Sequence, residues 1–126
     1  HIGIAVKDLD AVVAFYSELF GVNVTKSEEV ASQKVKAVLL SVGGSNLEFL
    51  AATSPESTIA RFIQNRGEGL HHICLEVDDI AEKLKALKAK GIELIDQAPR
   101  PGIAGMIGFL HPKSTKGVLV ELVEVE

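Results

Sequence analysis

Two stretches of this chain are versions of one another. His1-Ile-Gly-Ile-Ala-Val-Lys-Asp-Leu9 aligns without a gap on His72-Ile-Cys-Leu-Glu-Val-Asp-Asp-Ile80, 71 residues further on. A repeat constrains a fold strongly, because each copy must be the same supersecondary unit built twice. Both copies read as a strand that runs into an aspartate, Asp8 or Asp79, able to cap a helix by accepting a backbone N–H bond. An apolar helical pattern follows, closed by Gly21 or Gly91.

In the first helix Leu9, Val12, Val13, Tyr16, Leu19 and Phe20 recur at helical spacing, and in the second Ile80, Leu84 and Leu87 do; both stripes are predicted to face the core. Strand-like runs come next: Val22 to Thr25, Val35 to Val42 and Leu47 to Ala51 in the first copy, then Ile92 to Ile95, Met106 to Leu110 and Val118 to Val125 in the second. Each half is thus predicted to be βαβββ. Ser54 to Arg66 fits a connecting helix, with Pro55 in its first turn and Ile59, Phe62 and Ile63 on one face. Gly43-Gly44 and Pro99-Arg-Pro-Gly102 read as loops. The expected organisation is a single α+β domain over residues 1–126: module one at about 1–53, a connecting helix at about 54–67, and module two at about 70–126.

Within each first strand the side chains alternate faces. His1, Gly3 and Ala5 point one way, while Ile2, Ile4 and Val6 point the other and suit packing under the helix. A histidine followed by small residues, repeated as His72 and Cys74, leaves room for a ligand rather than a packed interior. The last strands repeat as well, since Leu47-Glu48-Phe49-Leu50 matches Val120-Glu121-Leu122-Val123 at a spacing of 73 residues. A carboxylate in an apolar strand is costly to bury unless it is paired or coordinates a cation. One such residue alone would be ordinary, but two histidines and two glutamates at equivalent positions of a duplicated unit point to convergence. His1, Glu48, His72 and Glu121 are therefore the candidate metal ligands. Such an N/O set suits one divalent ion of Mn, Co, Ni, Fe or Zn, with geometry deciding among them.

Other polar candidates carry less. His71 points to the face opposite His72. His111, in Phe109-Leu-His-Pro-Lys113, suits a structural loop role as well as a substrate contact. Cys74 has no base beside it and reads as cavity-lining packing, and Glu76 reads as solvated or paired.

Composition removes several classes. The 126 residues are 47% apolar and 24% charged with a net charge of −4, a globular balance without the basic run that nucleic-acid binding needs. No apolar stretch approaches the roughly 20 residues that span a bilayer, so no membrane partner is expected. One cysteine makes no internal disulfide, consistent with a reducing, cytoplasmic setting.

Over essentially its whole length the chain resembles the vicinal-oxygen-chelate (glyoxalase/bleomycin-resistance) superfamily. His1-Ile-Gly-Ile-Ala-Val6 and Gly67-Glu-Gly-Leu-His-His-Ile73 carry that resemblance together with four further segments, Lys90-Gly91, Pro99-Arg-Pro-Gly102, Phe109-Leu-His-Pro-Lys-Ser114 and Gly117-Val-Leu-Val-Glu-Leu122, and it is mainly through these four that the chain is similar to the methylmalonyl-CoA epimerase family. The resemblance implies paired βαβββ modules forming a curled mixed sheet around a metal, a homodimer, and metal ligands at His1, Glu48, His72 and Glu121. It also implies an acyl-CoA substrate, a proton moved between the 2R and 2S forms through a metal-stabilised enolate, and Glu121 as both ligand and acid/base. The family's opposite base is usually a glutamate at a position that is Ser32 here, which leaves Glu28 or Glu29 as substitutes if their loop folds over the site. Lys113, Arg100 and Lys116 are loop cations available to CoA phosphates. Two other functions share the fold: lactoylglutathione lyase, glyoxalase I, with the same ligand types in the same order, and a drug-binding module without metal chemistry.

Overall fold

The computed structural model describes every residue from His1 to Glu126. Its strands follow the order β2-β3-β4-β1-β5-β8-β7-β6, and the chain divides into compact units His1–His71 and His72–Glu126. The first contains β1 (Ile2–Ala5), α1 (Leu9–Phe20), β2 (Asn23–Val30), a 3-10 turn at Ala31–Gln33, β3 (Val35–Val42), β4 (Ser45–Ala52), α2 (Thr58–Arg66) and the start of β5 (Gly69–Glu76). The second holds the rest of β5, then α3 (Ile80–Ala89), β6 (Arg100–Pro101), β7 (Gly105–Leu110) and β8 (Val120–Val125). Both are βαβββ units, and the fold is α+β with a mixed sheet: β1 pairs with β4, and β5 with β8, in parallel, while the outer pairings are antiparallel.

The two aspartates do what their position suggests. Asp8 Oδ1 accepts the N–H of Ala11, and Asp79 Oδ1 that of Glu82, each at 3.1 Å, so each helix starts where its apolar strand ends. Gly21 closes α1 in the left-handed conformation at φ 65°, its N–H bonded to the Ser17 carbonyl.

Under α1, Val6, Leu9, Val38, Leu40 and Phe49 form the first core, with Ile4, Val12, Val13 and Tyr16 packed against it. Under α3 the second core is Ile80, Leu84, Leu94, Leu110, Val120 and Leu122. A Cβ on Gly108 would meet the Leu84 side chain at 3.0 Å, so this glycine lets α3 approach the sheet closely. These helix-side cores leave the other face of each unit to His1 and Glu48, and to His72 and Glu121.

Four expectations need correction. The apolar stripe of α1 does not stay buried to its end, for Leu19 is 60% and Phe20 64% exposed. Tyr16 takes the last contact with the sheet through Phe49, at 4.8 Å between ring centroids, and Phe20 packs on Tyr16 instead. The connecting helix begins at Thr58 rather than near Ser54: Ser57 is its N-cap, accepting from Ile59 N–H at 3.2 Å, and Pro55 lies in the preceding turn. Residues 92–95 do not form a strand; Leu94 makes an isolated bridge with Leu110. The strand that flanks β7 comes instead from the expected loop, as Arg100–Pro101. The cause is visible at Asp96, whose Oδ2 accepts the Phe109 N–H at 2.8 Å, so a side chain takes a place in the ladder and the backbone pairing ends there.

Candidate metal centre

In the first unit Gly3 of β1 stands beside Glu48 of β4, and Leu39 of β3 stands opposite Glu48. Residues paired in register share a face, so His1, two positions before Gly3, is on that face too. His1 Nε2 lies 3.4 Å from Glu48 Oε1, and both side chains are buried. The second unit repeats this. Cys74 of β5 pairs with Glu121 of β8, Phe109 of β7 lies opposite Glu121, and His72 Nε2 is 2.9 Å from Glu121 Oε1. The ligating atoms of His1, Glu48, His72 and Glu121 all lie within 4.8 Å of one another.

Glu48 and Glu121 are each 4% exposed, and a carboxylate at that depth requires compensating charge or hydrogen bonds. Glu48 has the His1 imidazole beside it at 3.4 Å, and Glu121 has that of His72 at 2.9 Å. Two carboxylates and two imidazoles gathered within a few ångströms make a donor set that fits a single divalent cation of the first transition row. The ring of Phe109 meets that of His72 nearly at right angles, with centroids 5.5 Å apart. Cys74, Ile107, Phe109 and Val123 form an apolar cluster on the same face, which limits water around His72 and strengthens any electrostatic interaction made there.

The remaining candidates are not gathered with these four. His71 lies on the opposite face of β5, its ring against Phe62 at 4.8 Å. Cys74 is buried in the apolar cluster, as packing, and Glu76 is exposed. His111 is exposed and holds its own loop: its Nδ1 accepts the Lys113 N–H at 3.1 Å, while its backbone N–H donates to the Glu93 carbonyl. Ser114 Oγ accepts the Glu93 N–H in the same turn, so the Phe-Leu-His-Pro-Lys-Ser segment is a built corner. Lys113 and Lys116 are exposed, whereas Arg100 is half-buried on β6.

Glu28 and Glu29 sit on β2 rather than in a loop. Glu28 lies opposite Ala37, which lies opposite Leu50, the residue two beyond Glu48, so Glu28 shares the face of Glu48. Its carboxylate is 3.5 Å from Lys26 Nζ. Glu29 lies opposite Lys36 on the other face. Ser32 is exposed in the 3-10 turn between β2 and β3. The sequence pattern did not single out the pair Asp96 and Arg100, joined at 2.8 Å; the only signal for it was their four-residue spacing.

Comparison with known proteins agrees with this architecture. Residues 1–109 match the family model of the glyoxalase/bleomycin resistance protein/dioxygenase superfamily. The chain is 38% identical over 125 residues to the uncharacterized protein YqjC of Bacillus subtilis, covering 98% of this chain and 89% of that one. It is 39% identical over 124 residues to human mitochondrial methylmalonyl-CoA epimerase, covering 97% and 70%. Among solved structures, a methylmalonyl-CoA epimerase in complex with methylmalonyl-CoA and NH4+ superposes with a TM-score of 0.95 at 36% identity, over 99% of this chain and 92% of that one.

Proposed function

The chain belongs to the glyoxalase/bleomycin resistance protein/dioxygenase superfamily, and on that premise we propose that it is a metal-dependent epimerase interconverting the 2R and 2S forms of methylmalonyl-CoA. The observation that carries the proposal is the gathering of His1, Glu48, His72 and Glu121 within 4.8 Å. The likeness to epimerases over nearly the whole chain supports the choice of substrate. In this reading the protein acts as a homodimer.

His1, Glu48, His72 and Glu121 hold the ion. When bound, a divalent cation supplies Lewis-acid stabilisation of the negative charge that develops on an enolate oxygen. The chain's own residues do the rest. The substrate carbon lies between a thioester and a carboxylate, and changing its configuration requires a proton to leave one face and return on the other. The Glu121 carboxylate serves one face. Glu28 serves the second: its place on β2 puts it on the same side of the sheet as Glu48, which Glu29 does not share. The apolar surface of Ile107, Phe109 and Val123 excludes water from the exposed carbanion.

Proton NMR in deuterated water on metal-loaded protein tests this directly. The C2 proton signal of methylmalonyl-CoA should disappear, and Glu121→Gln should slow its loss by about 100-fold or more. Folded, metal-loaded protein that leaves the signal intact while converting the glutathione hemithioacetal would replace the epimerase with a glyoxalase.

A further inference from the structure

The face of the second unit that carries His72 and Glu121 can be followed outward strand by strand. Cys74 on β5 pairs with Glu121 on β8, and Glu121 with Phe109 on β7; Ile107, two residues before Phe109, pairs with Arg100 on β6. All of these share one face. It runs from an imidazole and a carboxylate, across the apolar cluster of Cys74, Ile107, Phe109 and Val123, to a guanidinium on the edge strand.

Arg100 is held in place there. Its Nε donates to Asp96 Oδ1 at 2.8 Å, and Asp96 is itself fixed by the Phe109 N–H on its other oxygen, also at 2.8 Å. The guanidinium carbon lies 5.7 Å from the centroid of the Phe109 ring, the same ring that meets His72 at 5.5 Å. One aromatic side chain therefore separates a fixed cation from a candidate metal ligand. With its side chain only 31% exposed, the guanidinium has lost much of its water. Asp96 engages the Nε edge, and the Nη nitrogens are the remaining donors of a rigid fork suited to bidentate oxyanions. Pairing with the largely buried Asp96 occupies the Nε edge of Arg100 and leaves the Nη edge facing the same side of the sheet as Phe109.

We propose that Arg100 receives an oxyanion of the substrate through its Nη nitrogens and is a specificity-determining residue of this site. The inference rests on the acyl-CoA reading above. Such a substrate offers this chemistry in two places: the carboxylate beside the reacting carbon, and the phosphates of the CoA.

Calorimetric titration of metal-loaded wild type, Arg100→Met and Arg100→Lys tests the inference. The probes are malonyl-CoA, propionyl-CoA, which lacks the carboxylate, and malonyl-pantetheine, which lacks the nucleotide phosphates. Exchange of the C2 proton of methylmalonyl-CoA is followed in the same samples. Arg100→Met should weaken malonyl-CoA about 10- to 100-fold, and lysine should restore only part, because a point charge cannot reproduce the fork. A loss that spares propionyl-CoA identifies the carboxylate; a loss on both CoA esters that spares malonyl-pantetheine identifies a phosphate. Binding of all three probes within twofold of wild type overturns the inference, and wild-type proton exchange in those samples then leaves the epimerase standing. Arg100-dependent binding without wild-type exchange does the reverse, and failure of the wild type to bind any probe overturns both. Should the methionine variant not fold, Arg100→Gln, which keeps a planar polar end over Phe109, is read in the same way.

Discussion

The two βαβββ units place a histidine and a glutamate at matching positions, yet the outer strand beside each pair is different. In the first unit β2 runs for eight residues and sets Lys26 and Glu28 on the face of Glu48. In the second the equivalent strand, β6, is two residues long and sets Arg100 on the face of Glu121. The inner strands cannot vary in this way, because β1 with β4 and β5 with β8 bury their helix-facing residues in a core and hold the ligand positions in register. An outer strand is under less constraint: Asn23 to Glu29 are all exposed. Duplication has preserved the candidate ligands, while the edges have diverged toward a carboxylate in one unit and a guanidinium in the other.

Breaking that asymmetry should have its largest effect at Glu28. Glu28→Gln is expected to reduce C2 proton exchange by about 100-fold or more, whereas Glu29→Gln, on the opposite face, should change it by less than about twofold. Equal effects from the two would remove Glu28 from the mechanism. Next come the two helix-side cores. Leu84, 1% exposed and in contact with Gly108, should cost about 2–5 kcal/mol on truncation to alanine. Half-buried Val13 on α1 should cost about 1 kcal/mol. Urea denaturation measures both, and a larger loss from Val13 would reverse the ranking of the cores. The smallest effect should also be the most symmetrical. Asp8→Ala and Asp79→Ala each remove one N-cap bond of 3.1 Å and should each lower stability by about 1 kcal/mol in thermal melts. A several-fold difference between them would show that the duplicated caps do not bear equal load.

How much of this was legible in the sequence depends on whether a residue repeats. Strand, capping aspartate, helix and final strand occur twice, and comparing the copies raised His1, Glu48, His72 and Glu121 above the level of ordinary surface polar residues. The second-strand region occurs twice in order but not in pattern, and there the reading failed. Ile92 to Ile95 has strand composition, yet the Asp96 carboxylate takes the Phe109 N–H, a tertiary bond with no periodic trace. Arg100 looked like a loop cation because Pro99 and Pro101 flank it, and prolines are tolerated on an edge strand, where a backbone donor is not required. Leu19 and Phe20 continued the helical spacing of α1, but periodicity does not report where the sheet beneath a helix ends. The choice between Glu28 and Glu29 likewise needed the β2–β3 register, with its irregularity between Val24 and Lys26, since a one-residue shift exchanges the faces.

Metal binding by the four gathered side chains is the central claim, and a calorimetric titration of metal-free protein with Co2+ or Mn2+, paired with thermal melts, tests it most directly. One ion should bind per chain and stabilise the fold by about 2.7 kcal/mol at a hundredfold excess over Kd. His72→Ala, Glu48→Gln and Glu121→Gln should each weaken binding by more than about 100-fold and abolish that stabilisation. Stoichiometric binding that survives both glutamine substitutions, or no binding by folded wild type, would contradict the account.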